Sequence, residues 1–104
     1  MDRAVTRYQK IKLARAGKRA EDARRAWARL SKFCQSKAVR AKMFGSIAEG
    51  RNDENSDLDV MIFGDISADL MREIVREASA ASTSEHVPID LLFERDFPEL
   101  SKAI

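Results

Sequence analysis

Three aspartates and one glycine–serine pair carry the reactive chemistry of this sequence. Asp57 and Asp59 stand two residues apart in "SDLDVMIF", and Asp90 interrupts the apolar run "PIDLLF". Side chains alternate along a strand, so Asp57 and Asp59 share one face while Leu58, Val60 and Ile62 share the other. Two carboxylates so placed disfavour each other's charge. A divalent cation removes the conflict. Mg²⁺ prefers oxygen, needs only one or two protein carboxylates, and completes its shell with water and substrate phosphate. An unpaired carboxylate in an apolar strand is costly. Asp90 is therefore expected to face Asp57 and Asp59 from a neighbouring strand, as a third ligand and candidate general base. Gly45 and Ser46 end an earlier strand. With no Cβ at Gly45 the backbone N–H groups can approach a phosphate, and the Ser46 hydroxyl adds a donor. Carboxylates and cradle together specify phosphoryl or nucleotidyl transfer assisted by one or two metal ions.

These groups need strands to hold them. "AVRAKMF" (38–44) alternates Val39, Ala41 and Met43 with Arg40 and Lys42, as a half-buried strand does. Residues 46–56 are polar and form a connection, with a short helical turn over 46–50. "DLDVMIF" (57–63) is a second strand, and "VPIDLLFE" (87–94) a third with Pro88 near its start, where a missing N–H is tolerated. Between them, 67–82 reads as a helix capped by Ser67 and buried through Leu70, Met71, Ile74, Val75, Ala78 and Ala81. Residues 3–35 form a long helix whose stripe is Ala16, Ala20, Ala23, Trp27, Leu30 and Cys34, with Phe33 beside it. Gly17 is a point where that helix can break, and Val5, Tyr8 and Ile11 continue only a thin stripe. Tyr8 is assigned to helix packing, and His86 to ordinary surface. The strand–helix–strand order predicts parallel pairing of the last two strands through a right-handed crossover. The expected fold class is α/β (α+β), with a long N-terminal helix and a short mixed sheet of about three strands covered mainly on one face.

A chain of 104 residues with 44% apolar content is expected to be one globular domain over 1–104. It divides into a basic helical arm (1–36) and a core (37–104) that carries the chemistry. No apolar run is long enough to span a membrane, and no signal-peptide pattern follows the start. The single cysteine, Cys34, leaves no internal disulfide and suits a reducing cytoplasm. The charge is polarised. Residues 1–42 hold 14 Lys+Arg against 3 Asp+Glu, and residues 43–104 hold 5 against 14. A basic arm on an acidic body suits an electrostatic partner such as a nucleotide, nucleic acid or acidic protein, and equally suits a solvated helix face.

"FGSIAEGRNDENSDLDVMIF", followed by Asp90 in "PIDLLF", resembles the signature of the nucleotidyltransferase superfamily, the DNA polymerase beta-like fold. The resemblance covers roughly residues 38–94. The short chain is similar to the minimal nucleotidyltransferases, antitoxins that transfer AMP from ATP to a tyrosine of a HEPN-domain ribonuclease toxin. The resemblance implies a small nucleotidyltransferase fold in which Gly45 and Ser46 hold the triphosphate and Asp57 and Asp59 bind Mg²⁺. It further implies that Asp90 binds the catalytic metal and helps deprotonate the acceptor, and that Ser56 adds a phosphate or supporting contact. Glu49 stands where many minimal members carry arginine, which leaves Arg51 as the nearest basic residue, with Arg40 and Lys42 as alternatives. Two other readings fit the same residues. One is an antitoxin that works by occlusion with little catalysis. The other is an RNA or tRNA nucleotidyltransferase that uses the basic helix to hold RNA. The long helix is also a candidate homo-oligomer contact.

Overall fold

Alanine-rich, proline-free sequence and a good cap fix the first element. The structure, a computed structural model, describes residues 6–104. Helix α1 (Arg7–Ser36) starts at Thr6, whose hydroxyl accepts from the Gln9 N–H while the Gln9 side chain accepts from the Thr6 N–H, a reciprocal capping box. The expected beginning at residue 3, and Val5 of the thin stripe, lie outside the described residues. No break occurs at Gly17. Ala20, Ala23, Ala26, Leu30 and Cys34 form the buried stripe, with Trp27 and Phe33 half-buried beside it. Tyr8 is not packed, contrary to expectation: it is 68% exposed, and only the Lys12 ammonium lies over its ring, at 5.6 Å. Upstream of Ala16 every described α1 side chain is exposed.

The sheet has three strands in the order β1-β2-β3: β1 (Ala41–Phe44), β2 (Leu58–Ile62) and β3 (Ile89–Phe93). β1 pairs antiparallel with β2, and β2 parallel with β3 as the crossover rule requires. β1 is shorter than the alternation suggested, because Ala38 adopts a left-handed φ of 57° and the chain straightens only beyond Val39. Helix α2 (Gly45–Ala48) follows β1 directly, beginning one residue earlier than expected. Helix α3 (Ala68–Glu85) connects β2 to β3, capped by the Ser67 hydroxyl on the Leu70 N–H and ended by His86 at φ 57°.

Leu58, Val60 and Ile62 are fully buried, in one core with Leu30 and Ile74 from the helix layer and Val87 from the α3–β3 connection. Ion pairs join the two long helices at Arg29–Glu77 (2.8 Å) and Arg25–Glu85 (2.9 Å). Asp22 is the buried charge of α1, held by Lys18 at 3.0 Å and by Arg25. A 3-10 turn (Glu94–Asp96) and a short helix α4 (Pro98–Ala103) complete the chain, neither foreseen from the sequence. Among the described residues no helix is long and apolar enough to cross a membrane.

Candidate active site

The strand register settles where the carboxylates stand. Asp59 of β2 is the Cα partner of Asp90 on β3, and of Phe44 on β1. Directly paired residues on neighbouring strands point to the same face, with backbones about 4.8 Å apart. Asp59 and Asp90 therefore form one row, as the sequence predicted, on the face opposite Leu58 and Val60. Asp57 precedes β2 by one residue and shares that face by alternation. Asp57 and Asp90 are exposed, whereas Asp59 is half-buried. Burial raises the Asp59 carboxyl above its ordinary value, and the nearby charges of Asp90 and then Asp57 push it the same way.

Gly45 closes over Asp59. Its φ of 82° is left-handed, and a Cβ there would overlap the Asp59 carboxylate, lying 3.1 Å even from Cγ. The strand end thus needs glycine twice, once for the backbone and once for the carboxylate. Ser46 follows half-buried in α2, and its carbonyl accepts from the Arg51 N–H at 2.8 Å. The sequence-predicted cradle and carboxylates therefore meet at one end of the sheet.

Other expectations land differently. Arg51 is exposed and ion-paired with Glu49, so its guanidinium is already engaged. Arg40 sits at the opposite end of β1, over the Phe63 ring at 4.3 Å, far along the strand from Gly45. Lys42 is better placed. It pairs with Met61, so it shares the Asp59 face two residues along. It also lines a cavity of ≈ 440 Å³ with Phe44, Gly45, Ala48, Glu49 and Ile104. The Ser56 hydroxyl accepts from the Asp53 N–H at 3.0 Å and donates to the Asp53 carboxylate at 3.2 Å, which ties it into its own turn. His86 is exposed, as expected, beside Lys18, Asp22 and Glu54. A larger groove of ≈ 970 Å³ runs along α3 past Met71, Val75 and Ala80, and contains none of these residues.

A set of long-range contacts was invisible in the sequence. The loop that delivers Asp57 is tethered to the middle of α1. The Asn52 amide donates to the Ala16 carbonyl at 2.9 Å, and Arg19 Nε donates to the Glu54 carbonyl at 2.9 Å. Arg15 adds an ion pair to Glu54 at 3.5 Å. One Arg19 guanidinium nitrogen is buried without a partner among the described residues. No local pattern marks Asn52 or Arg19, because their partners lie more than thirty residues away.

Hard oxygen donors and an Asp59 carboxyl raised by burial and by two neighbouring carboxylates fit a divalent cation with a phosphate ligand. Among the described residues no three His, Cys, Asp or Glu side chains converge as a ready-made cage. Mg²⁺ does not require one, since one or two carboxylates suffice and substrate oxygens supply the rest. Residues 24–104 match the family model described as a nucleotidyltransferase domain. No curated protein and no solved structure matches the chain.

Proposed function

We propose, from the premise that this chain belongs to the nucleotidyltransferase domain family, that it transfers a nucleotidyl group from ATP to a hydroxyl of a partner protein. The observation that carries this reading is the Asp59–Asp90 row beneath Gly45. Mg²⁺ held by Asp57 and Asp59, with Asp90 beside them, would neutralise the charge of the triphosphate and of the departing pyrophosphate. Gly45 lets the strand end lie against the Asp59 carboxylate, and Ser46 adds a donor at the same strand end. Lys42, on the Asp59 face, is the cation best placed to meet the triphosphate while Arg51 remains paired with Glu49. The acceptor oxygen attacks the α-phosphorus as the bond to pyrophosphate breaks, and the exposed Asp90 carboxylate takes the acceptor proton.

The resemblance to minimal nucleotidyltransferases supports a finer reading: a cytoplasmic antitoxin that adenylylates a tyrosine of a HEPN-type toxin. Mass spectrometry of such a toxin after incubation with ATP and Mg²⁺ tests it. An AMP-modified tyrosine is expected, and an unmodified toxin in the presence of folded enzyme contradicts it. A second reading, neutralisation by occlusion, is favoured by the Glu49–Arg51 pair, which occupies the basic residue next to the cradle. Toxin suppression that survives Asp57→Ala and Asp59→Ala would select occlusion.

A further inference from the structure

The family match begins at residue 24, so the first half of α1 lies outside the family's common core. Its position can be read from its contacts. The end of α1 lies beside the start of β1, where the Val39 N–H donates to the Cys34 carbonyl at 2.8 Å. The middle of α1 touches the 52–54 loop at the other end of the sheet. Chain direction therefore carries residues 7–15 past the end where Asp57, Asp59 and Asp90 stand, by about 14 Å at 1.5 Å per residue. Tyr8, Lys12, Arg15 and Arg19 recur at spacings of four, three and four, which places them on one helix face. Arg15 and Arg19 of that face touch Glu54, and Lys12 and Tyr8 continue it beyond the end of the sheet. The buried part of α1 packs on the Leu58–Val60 face, opposite the carboxylates.

The chemistry of this arm is one-sided. Between Thr6 and Ala20 the ionised side chains are Arg7, Lys10, Lys12, Arg15, Lys18 and Arg19, with no carboxylate. Three of the five exposed large apolar side chains among the described residues also lie here: Tyr8 (68%), Ile11 (41%) and Leu13 (66%). Cations alone would suit any polyanion. An exposed tyrosine suits a nucleobase or a protein alike, but Ile11 and Leu13 gain nothing from a phosphate backbone and are what a protein interface buries. We infer that residues 7–18 are a docking arm that captures an acidic, apolar-studded segment of the acceptor protein beyond the end of the sheet that carries the site.

The inference rests on the reading that the acceptor is a protein. Its test uses no nucleotide, so a failure of docking and a failure of transfer are told apart. The probe is a fluorescein-labelled (Glu-Glu-Leu)₄ peptide, titrated with the full chain and followed by anisotropy. The comparison is a variant carrying Arg7→Glu, Lys10→Glu and Lys12→Glu, all exposed positions, with helicity checked by circular dichroism. The expected result is a loss of about tenfold in peptide affinity on charge reversal. A further loss of roughly threefold is expected for Ile11→Ser with Leu13→Ser. Unchanged peptide affinity in the charge-reversed chain overturns the inference. So does tighter wild-type binding of a labelled decauridylate than of the peptide at about 150 mM salt, which would assign the arm to nucleic acid. A monomer–dimer equilibrium in sedimentation that the charge reversal abolishes would assign it to a second copy, and also overturns it.

Discussion

Asp59 stands directly opposite Asp90 in the parallel pairing of β2 and β3, two carboxylates in one row on the face away from Leu58 and Val60. The register of β2 and β3 puts them on a common face, and the crossover through α3 puts their strands side by side. A protein selected for stability alone has little reason to keep such a row, because each charge raises the cost of the other. A site that binds metal and phosphate has every reason to keep it.

The row makes stability depend on pH. The Asp59 carboxyl is raised, chiefly by burial, above the 3.8 of an ordinary aspartate. The folded chain thus holds that proton more tightly than the unfolded chain. The stabilisation is complete below about pH 3.8 and is lost as pH rises through the raised folded value. Asp59→Asn should therefore stabilise the metal-free protein at neutral pH. Urea titrations at several pH values check this, and the advantage should vanish in acid.

Gly45→Ala should cost about 2–3 kcal/mol, from the left-handed backbone and from displacement of the Asp59 carboxylate. Gly50→Ala is the control. Its φ is 72° but no atom lies within 4 Å of a Cβ there, so only the backbone cost of about 1 kcal/mol remains. In an Asp59→Ala background the penalty at Gly45 should fall towards that of Gly50, as a double-mutant cycle on denaturant midpoints would record.

Asn52→Ala removes the amide that ties the Asp57 loop to the Ala16 carbonyl. The expected loss is about 1 kcal/mol of stability. Amide exchange should accelerate over residues 53–57, and the KM for ATP should rise more than kcat falls.

Helix α1 should behave as two segments. Leu30→Ala, in the core, should cost about 2–5 kcal/mol. Leu13→Ala, in the exposed arm, should stay within about 0.5 kcal/mol. Thermal unfolding of the two variants reads the difference directly.

Much of this was legible in the residues themselves. Alternation around Leu58, Val60 and Ile62 located β2 and assigned Asp57 and Asp59 to one face. The Ser67 cap and the apolar stripe from Leu70 to Ala81 located α3, although Val75 of that stripe is 49% exposed and the helix runs on to Glu85 before His86 ends it. Local signals failed where the determinant is distant. Nothing near Asn52 or Arg19 announces a partner on another element, and nothing near Arg40 shows that Phe63 will hold it away from the cradle. Tyr8 misled because a periodic apolar residue implies burial only when another element covers it, and none of those described does so. Helix α4 carried readable marks, with Pro98 at its first turn, Glu99 beside it and Lys102 in its last turn, but six residues make a weak periodic pattern.

Calorimetric titration of ATP into the protein, with and without Mg²⁺, tests the assignment of the carboxylate row most directly and needs no acceptor. Wild type should bind ATP in the presence of Mg²⁺ and lose that binding when the metal is chelated. Asp59→Asn, folded and no less stable, should lose about a hundredfold in Mg²⁺-dependent affinity. Wild-type affinity in folded Asp59→Asn would contradict the account.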